Sequence, residues 1–264
     1  MGRALDLVSF TATAAAVAGT AGTAVAGDSL TVRNAVPGSR VRMVSWWALL
    51  QTGTRVQVTH PTGHDVTRDL RMRVPAAIVT NLLPAGVTEV LQPQEVIAAT
   101  IFGTAVAADV ENSSMLIAYD DLPGIEGHYI SPEELEDRRE VLVSVEATIT
   151  ETAGGAYEGA EAISAESDLL KANREYALIG ATFGVGATSI RVAAPDWGNL
   201  GIGIPADALN PEIPANWFPR LSAALREPWV PVFNSANRGN VLISTLGDEN
   251  GADTTVSLLL ALLR

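Results

Sequence analysis

Cysteine is absent from the 264 residues, histidine occurs three times, and Lys171 is the single lysine. The missing cysteine excludes disulfide scaffolds, thiolate metal sites and cysteine nucleophiles. Scarce histidine narrows the chemistry further, because imidazole is the commonest metal ligand and a frequent general base. Positive charge is also short. A formal net charge of −13 argues against neutralising a phosphate backbone, so no direct sequence-specific nucleic-acid binding is expected. Aromatics make up 5% of the chain. Long runs of strongly apolar residues are missing as well. Leu7 to Gly27 is uncharged and contains Ala24-Val25-Ala26, a small-residue pattern like that of a cleaved signal, but it is built of Ala, Gly and Thr and follows Asp6. It is read as part of the folded chain, neither leader nor membrane span.

What is present is a β pattern. Arg40 to Trp46, Thr54 to Thr59, Ser29 to Arg33, Leu70 to Val74 and Ser189 to Val192 alternate polar with apolar residues, the period of a half-buried strand. Val36-Pro37-Gly38, His60-Pro61-Thr62-Gly63, Leu83-Pro84-Ala85-Gly86 and Ala194-Pro195-Asp196-Trp197-Gly198 break them. About fifteen short strands fit this punctuation. Helices are few. Ser131-Pro132-Glu133-Glu134 carries a capping Ser and Pro at the first helical position, which predicts a short helix through about Arg139. One or two turns are expected over 167–173, and a third helix over 214–225 if Pro219 lies near its first turn.

Strand motifs recur in order. Leu7-Val8-Ser9 returns about 135 residues later as Leu142-Val143-Ser144, and Ser114-Met115-Leu116-Ile117-Ala118 as Ser257-Leu258-Leu259-Leu260-Ala261. Trp47-Ala48-Leu49-Leu50 similarly resembles Tyr176-Ala177-Leu178-Ile179. The ordered spacing predicts a tandem duplication with units 1–132 and 133–264, each the size of an antiparallel sandwich, with 131–139 as linker. Charge divides unevenly between them: eight arginines against eleven acids in the first, nine basic residues against nineteen acids in the second. Two solvated faces account for this, as does a complementary contact between subunits.

The sequence offers little chemistry. His60 and His64, beside Asp65, have metal-ligand types, but Pro61 and Gly63 put them in a turn and no second cluster completes a site, so ordinary turn residues are expected. Nucleophile elbows, phosphate loops and dinucleotide fingerprints are absent. Asp120-Asp121 and Glu133-Glu134 read as a turn and a helix start rather than a catalytic pair. No catalytic residue, cofactor or metal is therefore expected.

Contacts are the better use of the large side chains. Trp46-Trp47 places consecutive rings on opposite faces of one strand, so one of them should meet another sandwich or another chain. Trp197, Trp217, Phe218 and Trp229 lie near proline-rich loops, where such rings anchor either a partner or their own loop. With Arg42, Arg55, Arg71 and Arg73 they form the candidate subunit interface.

Two tandem sandwiches without a catalytic constellation, carried by pairs such as Leu7-Val8-Ser9 with Leu142-Val143-Ser144, resemble the double jelly-roll major capsid proteins of tailless icosahedral viruses. The resemblance is architectural and covers nearly the whole chain. It implies an all-β fold of two jelly rolls, a homotrimer of pseudo-sixfold outline, and contacts with neighbouring capsomers and with minor capsid or penton proteins. It also implies a virion location after assembly in the host cytoplasm, often above an internal membrane. Bicupin enzymes resemble the chain in size, but the second half has no histidine to supply their metal site. The other reading left open is a two-domain carbohydrate-binding or adhesion module.

Overall fold

The computed structural model describes residues 2–13, 24–64, 69–75, 77–103, 110–150, 155–163, 169–184, 186–247 and 253–264. Asp65 and residues 164–168, which include the start of the second expected helix, lie outside them. In the first half run β1 (Ala4–Thr13), β2 (Ala24–Thr31), β3 (Val41–Leu49), β4 (Arg55–Thr59), β5 (Leu70–Arg73), β6 (Thr80–Asn81), β7 (Glu89–Leu91), β8 (Val96–Phe102) and β9 (Val110–Tyr119). In the second come β10 (Tyr129–Ile130), β11 (Arg139–Ile149), β12 (Tyr157–Ala162), β13 (Glu175–Phe183), β14 (Ala187–Ala193), β15 (Gly201–Pro205), β16 (Val230–Asn234), β17 (Leu242–Gly247) and β18 (Thr254–Leu263). The chain is an all-β protein of antiparallel sandwiches with few short helices.

Sheet order identifies the sandwich type. The first half forms one sheet β1-β9-β3, continued by β6 and β7, and another in the order β2-β8-β4-β5. The second half repeats both: β11-β18-β13-β16, extended by β10, and β12-β17-β14-β15. With the short β6 and β7 counted together, each set of eight strands alternates between its sheets as 1-8-3-6 and 2-7-4-5. That is the connectivity of a jelly roll.

Even the irregularities repeat. In β3 the register against β9 shifts between Met43 and Ser45, and in β13 the register against β18 shifts between Leu178 and Gly180. An extra residue in one strand reverses which alternate positions face inward. Hence Val41 and Met43 enter the first core before the bulge, whereas Trp46 and Ala48 enter it afterwards. The bulged residues, Val44 and Ile179, are separated as Leu7 is from Leu142, so this ladder sets Ile179 against Val44 and not against Leu50. Ser9 sits opposite Ser114, but Ser144 sits opposite Leu259, and Glu146 takes the place opposite Ser257. The sequence repeat is thus displaced by two residues on the ladder, which keeps every side chain on its face.

The expectation of half-buried strands fails for β3, whose nine residues are all buried. Its outer face is covered by the second sandwich. Gly203 of β15 comes so close to β1 and β3 that a Cβ there would lie 2.5 Å from Leu7 Cδ1 and 3.0 Å from Trp47.

Helix α1 (Pro132–Arg138) begins as its sequence requires, with the Ser131 side chain accepting the Glu134 N–H. The expected helix over 214–225 is two pieces, α2 (Glu212–Ala215) and α3 (Trp217–Leu225), with Pro219 in the first turn of α3. They lie on the outer face of β13, where a Cβ on Gly180 would stand 2.1 Å from the Pro214 carbonyl oxygen. Among the described residues no helix is long and apolar enough to cross a membrane.

Candidate functional site

The seam between the sandwiches gathers four of the ten expected contact residues, Arg42, Trp47, Trp217 and Trp229. Trp47 projects from β3 and meets Trp217 of α3 edge to face, ring centroids 6.1 Å apart. Trp229 is held between Tyr129, at 5.5 Å, and the Arg3 guanidinium, at 5.4 Å. A charged network closes the seam beside it. Arg42 donates to both oxygens of Glu227, at 3.0 and 2.7 Å, and to Asp120 at 3.0 Å, while Arg40 donates to Asp120 at 2.9 Å and Glu227 at 3.3 Å. Trp229 Nε1 donates to the same Glu227 at 3.1 Å. Burial pushes the Glu227 carboxyl up, but the Arg42 hydrogen bonds and charge, aided by Trp229 and Arg40, hold it below the usual carboxylate range. Hydroxyls continue the contact: Ser9 links to Ser114 at 2.8 Å and to Tyr157 at 2.9 Å, and Tyr157 donates to Ser189 at 3.0 Å.

Seven of the ten candidate interface residues, Arg42, Trp46, Trp47, Trp197, Trp217, Phe218 and Trp229, are buried by their own chain. The expected subunit contact is corrected for these seven, because an enclosed side chain has no surface to offer a second copy. Trp46 belongs to the first core, where its Nε1 donates to Ser113 at 2.8 Å, and Trp197 to the second, where it donates to the Val232 carbonyl at 2.9 Å. The other three remain nearer the surface. Arg55 stacks over Phe102 at 4.1 Å, and Arg71 and Arg73 are exposed on the edge strand β5.

The paired acids have structural roles. Asp120 belongs to the seam, Asp121 accepts the Gly2 N–H at 3.2 Å, and Glu133 and Glu134 occupy the first turn of α1. The fully buried Glu111 spends its oxygens on the 51–53 loop, accepting the backbone N–H groups of Gln51, Thr52 and Gly53 and the Thr52 hydroxyl at 2.7–3.1 Å.

The His60–His64 turn brings its two side chains together. Backbone bonds His60 N–H to His64 O, 2.7 Å, and His64 N–H to His60 O, 2.9 Å, make the two residues a directly opposed pair at the mouth of a tight hairpin. Opposed residues project to one side, so the turn that argues against a helical metal pair brings the imidazoles together, centroids 5.1 Å apart. Glu89 of β7 supplies a third group: its Oε1 is 3.0 Å from His64 Nε2 and 3.8 Å from His60 Nε2. Nothing in the sequence signals Glu89, since β7 reaches the turn only through its pairing with β3.

No family model matches the chain, and no curated protein matches it. Among solved structures, the PBSX exported protein XepA is similar at 11% identity and a TM-score of 0.27, over 96% of this chain and 86% of that one. A peptide-N(4)-(N-acetyl-β-D-glucosaminyl) asparagine amidase is similar at 12% identity and a TM-score of 0.27, over 97% and 96%. The major capsid protein P2 of bacteriophage PM2 is similar at 6% identity and a TM-score of 0.23, over 99% and 98%. Likeness this weak spans an exported protein, an enzyme and a capsid protein, so the assignment of the fold rests on strand order.

Proposed function

We propose that this chain is the major shell protein of a viral or virus-like particle, assembling as homotrimers of double jelly rolls. One asymmetry carries the reading. The outer face of β1-β9-β3 is covered by β15 and α3 of the same chain, whereas the corresponding face of β11 is open: Leu5 is 0% exposed and Leu142, its counterpart on the ladder, 47%. On β11 the alternate residues Leu142, Ser144, Glu146 and Thr148 all face outward.

The strand that covers the first sandwich has a counterpart to cover the second. β5 occupies in the first sandwich the edge position that β15 occupies in the second, and it presents Arg71 and Arg73 to solvent. Laid on β11 of the next copy, β5 would repeat the seam between chains and bring its arginines toward Glu146. Opposite charges fix orientation in such a contact. The contact is head-to-tail, so it must close as a ring or run on as a filament. Three copies close a ring of six sandwiches, a shape that tiles a shell.

On this reading the work of the chain is assembly rather than catalysis. Its partners are its own copies, neighbouring capsomers, and minor capsid or penton proteins, in a virion built in the host cytoplasm. Negative-stain micrographs of the expressed protein test this. Regular particles or uniform six-lobed discs are the expected result; dispersed two-lobed monomers, together with selective binding on a glycan array, would replace it with a carbohydrate-binding module.

A further inference from the structure

We propose that His60, His64 and Glu89 form a binding site for a zinc-type divalent cation that ties the β4–β5 hairpin to β7. Their ligand atoms all lie within 4.8 Å of one another. A tetrahedral ion bound at about 2.0–2.1 Å holds neighbouring ligand atoms a little over 3 Å apart. The 3.0 and 3.8 Å separations from Glu89 Oε1 to the two Nε2 atoms bracket that spacing. Two imidazoles and one carboxylate suit zinc and its neighbours rather than calcium or magnesium.

His60 is the second, independent observation. Its side chain is 1% exposed, and its Nδ1 lies 2.9 Å from Glu95 Oε1. That oxygen also accepts the Thr62 N–H at 2.6 Å, and Glu95 Oε2 accepts the Gln92 N–H at 2.7 Å, so Glu95 acts as an acceptor. The Gly63 N–H also approaches Nδ1, at 3.3 Å, but an unprotonated Nδ1 would set its lone pair against a carboxylate oxygen at 2.9 Å. The shorter contact therefore places a proton on Nδ1, so that the neutral imidazole carries its lone pair on Nε2. That buried Nε2 has no hydrogen-bond partner, and the nearest group of opposite function would be a cation. A carboxylate on the far nitrogen is the arrangement that orients metal-bound imidazoles. Gly63 keeps the space clear: a Cβ there would stand 2.9 Å from His60 Cε1 and 3.1 Å from Glu89 Oε1.

The ion would join elements of both sheets of the first sandwich at one end, since β4 and β5 belong to one sheet and β7 pairs with β3 of the other. His64 and Glu89 are partly exposed, which leaves room for water to complete the coordination.

Titrating the untagged, chelator-treated full chain with zinc chloride in a calorimeter tests the site, with cobalt(II) absorption reporting the geometry. Saturable binding of one equivalent and tetrahedral cobalt bands are expected. His64→Ala should weaken binding at least tenfold, and Glu95→Gln, which does not touch the ion, by about 10- to 100-fold. His128→Ala, at the remaining histidine, should leave affinity unchanged, and circular dichroism of every variant checks that it folds. Absence of saturable binding by the parent protein, or equal affinity in folded His64→Ala and His128→Ala, would overturn the proposal.

Discussion

The Trp47 indole meets the Trp217 indole at an interplanar angle of 79°, one ring from a strand of the first sandwich and the other from a helix lying on the second. Edge-to-face rings at this separation contribute beyond the area they bury. The pair locks two jelly rolls into one body, because Trp47 lies in the same continuous apolar cluster as Trp197, Phe218 and Trp229 of the second half.

Trp217→Ala should therefore destabilise the protein by about 3–5 kcal/mol, the usual cost of removing a buried large aromatic. Chemical denaturation checks it. Combining it with Trp47→Ala should give less than the sum of the single losses, since each variant already removes the shared contact.

Acid should loosen the seam. Glu227 is held below its ordinary pKa in the folded protein, so its contribution is complete above the unfolded carboxyl value of about 4.3 and is lost as pH falls through the lower folded value. Glu227→Gln should flatten this part of the acid-unfolding curve. Arg42→Ala should cost about 3 kcal/mol at neutral pH by leaving Glu227 and Asp120 poorly compensated.

Gly180→Ala should destabilise by about 1–3 kcal/mol, because its new methyl meets backbone atoms of α2 that cannot swing aside. Gly184→Ala is the matched comparison. There the nearest atom would be 3.6 Å away, an ordinary contact, and a change within about 0.5 kcal/mol is expected from the same thermal melts.

Local signals carried much of the fold. Ser131-Pro132 announced α1, alternation announced β3, β4, β5 and β14, and the return of Leu7-Val8-Ser9 at Leu142-Val143-Ser144 pointed to the repeated strand order. The bulge at Val44 left only one trace, the adjacent apolar residues Met43 and Val44 inside the otherwise alternating stretch Arg40 to Trp46, and the bulge at Ile179 left none, because Tyr176 to Ile179 is apolar throughout and has no alternation to break. The large aromatics were legible as contact residues, but not whose contact: sequence cannot separate a neighbouring sandwich from a neighbouring chain. The His60–His64–Glu89 cluster shows the same limit. Two ligands share a turn, while the third and the orienting Glu95 arrive through strand pairing.

Reversing charge on the open edge should act on assembly and spare folding. Arg73→Glu should weaken self-association by tenfold or more, equivalent to about 1.4 kcal/mol, and leave the melting temperature of the dissociated chain nearly unchanged, whereas Arg71 is kept because it pairs at 2.6 Å with the buried Asp69. Adding Glu146→Arg should restore part of the loss, and raising salt should weaken association of the parent protein. Sedimentation equilibrium reads each effect.

The most direct measurement is the mass of the parent protein in solution by light scattering. Three chains of 27.6 kDa, or particles built from multiples of three, are the expected result. A monomer at every concentration and salt would contradict the account.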